Sequence, residues 1–112
     1  VSDDARFDHY RRHCDFIQRR VFPGGMLPSP SAIARHAAAA GFVVDHVEMF
    51  GASYAQTLAE WRRRFLRAWP QIAAMGFDER FGRLWEYYLA YCEGGFRAAS
   101  IDVGFWRLRR GR

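Results

Sequence analysis

With 112 residues, half of them hydrophobic and 17% aromatic, the chain has room for one domain at most and for a modest core. That composition excludes the polar, aromatic-poor class that stays disordered, and no apolar run approaches the roughly 20 residues needed to span a bilayer. All 17 basic residues are arginine, and the net charge of +5 favours bidentate contacts to phosphate or carboxylate groups.

Val1 stands in place of Met, and the first helical stripe begins within a few residues of it. Nothing there resembles a leader peptide, and the expectation is a piece cut from a longer protein. Phe7, Tyr10, Cys14, Ile17 and Val21 recur at spacings of three and four, which predicts one amphipathic helix. It stops at Phe22-Pro23-Gly24-Gly25, where the chain must turn. Ser29 and Pro30 supply an N-cap oxygen and an N1 proline for a second helix that ends at Gly41.

Phe42 to Phe50 is rich in β-branched and aromatic residues and predicts a largely buried strand, with Val43, Val47 and Met49 on one side and Val44 and Phe50 on the other. Ser53 and Gln56 fit a capping box that opens a long helix along Leu58, Trp61, Phe65 and Trp69. The pattern decays from Pro70 through Gly76. Asp78 then caps another helix, with the stripe Phe81, Leu84, Trp85, Tyr88 and Cys92 and an end weakened by Gly94 and Gly95. Ile101 to Leu108 reads as a second strand. Two strands do not make a self-sufficient sheet, so further strands are expected outside this chain.

Four sets of residues bear on possible chemistry. His9 and His13 share a helix face beside Cys14, but no further ligand pair follows, so a metal is not expected. Cys14 and Cys92 lack paired spacing and read as free thiols of a reducing cytoplasm. The arginines at Arg62 to Arg64 and Arg107 to Arg112 admit a small basic binding module for nucleic acid or an acidic partner. The aromatic residues, however, fall on the apolar stripes and not among the arginines, so no nucleic acid is expected and attraction to anionic lipid is favoured. Tyr54, Tyr88 and Tyr91, with Cys92 and Phe96, form an aromatic set whose periodicity alone says core.

Three strings in order change this reading: Asp15-Phe-Ile-Gln-Arg-Arg-Val-Phe-Pro-Gly-Gly-Met-Leu-Pro-Ser29, Phe50-Gly-Ala-Ser-Tyr-Ala-Gln-Thr-Leu58, and Tyr87-Tyr-Leu-Ala-Tyr-Cys-Glu-Gly-Gly-Phe-Arg97 followed by Ile101-Asp-Val-Gly104. Together they resemble the cyclopropane-fatty-acyl-phospholipid synthase family over nearly the whole chain. The resemblance implies an α/β fold, the C-terminal part of a class I methyltransferase (Rossmann-like) domain, with two antiparallel edge strands and helices before and between them. It divides the chain into helices and the penultimate strand (1–49), lipid-pocket helices (50–99) and the last strand (100–112).

The same resemblance implies transfer of a methyl or methylene group from S-adenosylmethionine to an unsaturated phospholipid acyl chain, with bicarbonate as base. Tyr54 matches the family's tyrosine that hydrogen-bonds bicarbonate. Phe22, Leu58, Cys92 and Phe96 match positions lining the acyl pocket. The S-adenosylmethionine site and the remaining bicarbonate ligands are expected before Val1, which leaves the isolated piece inactive. The implied setting is cytoplasmic, peripherally associated with the inner face of the membrane, and a homodimer of the full-length parent is among the assemblies it allows.

Overall fold

The computed structural model describes residues 1–111; Arg112, the end of the expected last-strand segment, lies outside the described residues. Seven elements follow in order: α1 (Asp4–Arg12), α2 (Phe16–Arg20), α3 (Pro30–Ala39), β1 (Phe42–Met49), α4 (Gly51–Ala74), α5 (Glu79–Arg97) and β2 (Gly104–Arg110). The two strands pair antiparallel, from Phe42 opposite Arg110 to Met49 opposite Gly104, with an irregularity between Val44 and His46. The helices α4 and α5 form a long hairpin between them, and α3 packs on β1. This is the expected arrangement of two antiparallel strands with helices before and between them.

Local chemistry explains most boundaries. The Ser29 hydroxyl accepts from the Ala32 amide and Pro30 opens α3, while Asp78 accepts from the Phe81 amide and opens α5. The single helix expected through Val21 is instead two. Asp15 accepts from the Gln18 amide while the Gln18 side chain accepts from the Asp15 amide, and this capping box starts a new helix. The cap expected from Ser53 and Gln56 is also corrected, because α4 begins two residues before Ser53. Its first amide, that of Gly51, donates to the Asp102 carboxylate at 2.9 Å.

The reading of β1 as a largely buried strand is overturned. Phe42 and Val44 are half-buried, but Val43, Val47 and Met49 are exposed, because β2 is the one described strand beside β1 and α3 covers a single face. The last strand starts later than Ile101. Ile101 makes an isolated bridge to Ser2, and Asp102 turns to cap α4 and to accept from the Val103 amide.

The chain is extended, 56 × 27 × 26 Å, with a radius of gyration of 17.0 Å where a compact domain of this length has about 13 Å. Its accessible surface of 8091 Å² exceeds by more than a quarter the roughly 6300 Å² of a closed monomer of 13.0 kDa. The excess, roughly 1800 Å², is about twice the ~800 Å² that one partner contributes to a standard protein interface. What core there is centres on Leu58, Leu89 and Cys92, between α4 and α5. No helix among the described residues is long and apolar enough to cross a membrane.

Candidate functional site

The α4–α5 hairpin, α2 and the residues Ile101, Asp102 and Val103 that lead into β2 line a cavity of about 500 Å³. Tyr54, Leu58, Cys92, Phe96 and Phe22 all line it, so residues 74 positions apart in the chain meet around one space. Helical phase does most of this: Tyr54, Leu58, Trp61 and Phe65 lie on one face of α4, and Trp85, Tyr88, Leu89, Cys92 and Phe96 on the facing side of α5. Phe22 reaches the same space from the turn after α2 and is half exposed there. Its ring meets the edge of Tyr88 at a centroid distance of 6.1 Å.

Tyr54 is set one turn into α4. Its ring meets Phe96 edge-on at 5.1 Å and Trp61 edge-on at 5.8 Å. The ring is thus held by edge-on contacts on two sides, and Tyr54 lines the cavity from α4. Gly51 makes this geometry feasible: a Cβ there would press on the Asp102 carboxylate and lie 3.2 Å from the Phe96 ring. Asp102, which accepts from the Gly51 and Val103 amides, therefore couples the start of α4 to the segment that leads into β2.

Two further groups stay protonated in this setting. Burial pushes the Cys92 thiol above its ordinary value, an effect opposed only in part by the neighbouring Tyr88 hydroxyl. Burial, followed by the neighbouring Cys92, raises the Tyr88 phenol. A buried neutral thiol is a polarisable lining group, not a nucleophile, as its sequence setting implied. Both cysteines are free, Cys14 exposed and Cys92 buried.

Tyr88, Phe65 and Trp85, which read from the sequence as core stripe, are core and cavity wall at once, while Trp61 lines the cavity but is exposed; the shared helical phase with Leu58 and Cys92 is the available signal. His9 and His13 do not converge on a point; their rings stack at 4.1 Å, and His13 Nδ1 lies 2.8 Å from the His9 carbonyl. Many of the arginines are engaged by carboxylates, Arg64 with Glu60 and Arg97 with Glu93 at 2.7 Å, and Arg107 with Asp45 at 2.9 Å. A cofactor with phosphate or carboxylate groups finds no seat at the start of α4, because Asp102 already occupies it. The described residues therefore do not form a nucleotide-type cofactor site at that strand-to-helix turn.

Comparison with known proteins agrees with this architecture. The chain is 44% identical over 99 residues to tuberculostearic acid methyltransferase UfaA1 of Mycobacterium tuberculosis, covering 85% of this chain and 22% of the relative. It is 43% identical over 93 residues to the cyclopropane-fatty-acyl-phospholipid synthase of Escherichia coli K12, covering 83% of this chain and 23% of the relative. Among solved structures, mycolic acid cyclopropane synthase CmaA1 complexed with SAH and CTAB superposes with a TM-score of 0.80 at 31% identity, over 95% of this chain and 35% of that one. The chain thus spans less than a quarter of the length of these two curated relatives, and corresponds to their C-terminal portion. The family model described as mycolic acid cyclopropane synthetase matches residues 2–106, and the chain belongs to that family of S-adenosylmethionine-dependent methyltransferases.

Proposed function

We propose that this chain is the lipid-binding part of an enzyme that transfers a methyl or methylene group from S-adenosylmethionine to an unsaturated phospholipid acyl chain. The observation that carries the reading is the cavity itself, a space of about 500 Å³ between two amphipathic helices, walled by aliphatic and aromatic side chains. Leu58, Cys92, Phe96 and Phe22 hold the acyl chain by apolar contact and exclude water from it. Tyr54 is the donor at the reacting end. Bicarbonate, when bound, supplies a base for the proton lost as the product forms, and the Tyr54 hydroxyl donates to it. The methyl donor is held by parts of the protein outside this chain. The protein works at the cytoplasmic face of the membrane, attached peripherally, because its substrate lies there and no described helix spans it.

The alternative of a basic binding module has less support, since Phe65, Trp85 and Tyr88, which a base-stacking surface would present outward, pack on Leu58, Leu89 and Cys92. The test of the proposal is Tyr54→Phe in the intact protein that contains this chain. The variant removes one donor to the anion and lowers turnover by about 10², with unchanged affinity for S-adenosylmethionine. Turnover in the wild type also falls when bicarbonate is stripped from the buffer. Equal turnover of wild type and variant would remove Tyr54 from the chemistry.

A further inference from the structure

A second cavity of about 690 Å³ adjoins the first, and Leu27 and Ile101 stand in the walls of both. Its character differs. Arg6, His9 and His13 of α1 and its C-cap line it, together with the Tyr10 phenol. The Tyr10 oxygen accepts from the Leu27 amide at 2.9 Å, so its own proton remains to be donated. Ser2 also lines this cavity; it is 4% exposed, and its hydroxyl is buried with no hydrogen-bond partner among the described residues. The one carboxylate of the lining, Asp15, is already held, by the Gln18 amide at 2.9 Å and the Tyr91 hydroxyl at 3.5 Å.

From these groups we infer that the second cavity binds the headgroup phosphate of the phospholipid whose acyl chain enters the first. The inference rests on the lipid reading above and extends it to the polar end of the same molecule. Arg6 supplies the permanent positive charge, and Tyr10 and the imidazoles supply further donors, a set that matches a phosphodiester and not an acyl chain. The shared wall at Leu27 and Ile101 lets a single lipid lie across both spaces. Gly94 keeps the second cavity open: a Cβ there would meet nothing within 4 Å, so a larger residue at this position grows into the empty space without a clash.

The experiment uses the intact protein containing this chain, as wild type, Arg6→Gln and Gly94→Leu. Each is sedimented with dioleoyl phosphatidylglycerol vesicles and with phosphate-free monoolein dispersions, and half-saturating lipid and kcat are measured for both. Both variants raise the half-saturating phosphatidylglycerol concentration about tenfold, leave monoolein unchanged and keep kcat within about twofold. Equal behaviour of wild type and both variants on the two lipids would overturn the assignment. Inorganic phosphate competes with phosphatidylglycerol in wild type and not in Arg6→Gln; phosphate that binds the wild type yet leaves lipid saturation unmoved would mark a free-anion site and overturn it too. If no methyl transfer occurs with either lipid while the sedimentation difference persists, the headgroup site stands and the proposed reaction fails.

Discussion

Gly51, at the start of α4, and Gly94, near the end of α5, respond to the same substitution with opposite signs. Alanine for glycine at an ordinary helical position stabilises by about 0.5–1 kcal/mol, because glycine loses more backbone freedom on ordering. Gly94 is such a position, since its added Cβ meets only open space. At Gly51 the Cβ presses on the Asp102 carboxylate and lies 3.2 Å from both its Cγ and the Phe96 ring. Displacing Asp102 breaks its bonds to the Gly51 and Val103 amides, each 2.9 Å long and each worth about 1.5 kcal/mol or more as a hydrogen bond to a charged group. Overpacking of Phe96 adds about 1 kcal/mol, and the gain in helix propensity offsets at most about 1. The net is a loss of about 3 kcal/mol or more. Native-state hydrogen exchange reads this locally: amides of residues 51–58 in Gly51→Ala exchange about 150-fold faster, and amides of residues 92–98 in Gly94→Ala about 2- to 5-fold slower. Unchanged protection in Gly51→Ala would refute the coupling of Asp102 to α4.

Two other outcomes follow from local geometry. Ala99 has φ of +56°, the left-handed conformation that follows a helix end, so Ala99→Gly stabilises by about 0.5–1 kcal/mol; a loss of stability measured by urea titration would contradict this. Cys14 is exposed and Cys92 buried with its thiol pushed upward. Iodoacetamide near pH 8 therefore alkylates Cys14 at least about tenfold faster than Cys92, and the Cys92 rate still climbs with pH where that of an ordinary thiol has levelled off. Equal rates at pH 8 would mean the hairpin core is open.

Which elements the sequence disclosed depended on whether their causes are local. Ser29, Pro30 and Asp78 announce α3 and α5 because a cap acts within three residues of itself. The break between α1 and α2 was hidden by an apolar stripe that runs through it in phase, although Asp15 and Gln18 carry the capping box that causes it. The start of α4 was illegible for another reason: its capping carboxylate is Asp102, 51 residues away, while Ser53 and Gln56 mimic a local signal. Pro70 lies inside α4 and not at its end, because the helix continues to Ala74.

The covering of the strands was misread, since β-branched runs report that a strand is to be covered and not by what. Val43 and Val47 have the sequence of buried positions and the exposure of surface ones. For the site, helical phase placed Leu58, Cys92 and Phe96 on inward faces, but periodicity does not separate a packed core from a cavity wall. The resemblance to a lipid-modifying family selected five residues, and the fold gathers those five around one space.

Photo-crosslinking shows whether this space receives an acyl chain. The intact protein containing this chain is irradiated with a phospholipid bearing a diazirine in mid-chain, then digested and analysed by mass spectrometry. Adducts are expected on the facing sides of α4 and α5, at Tyr54, Leu58, Trp61, Tyr88, Cys92 or Phe96, with their loss in a Leu58→Trp variant that fills the cavity. Adducts spread over outward residues such as Arg63, Arg67 and Arg83, unaffected by Leu58→Trp, would contradict acyl-chain binding in this space.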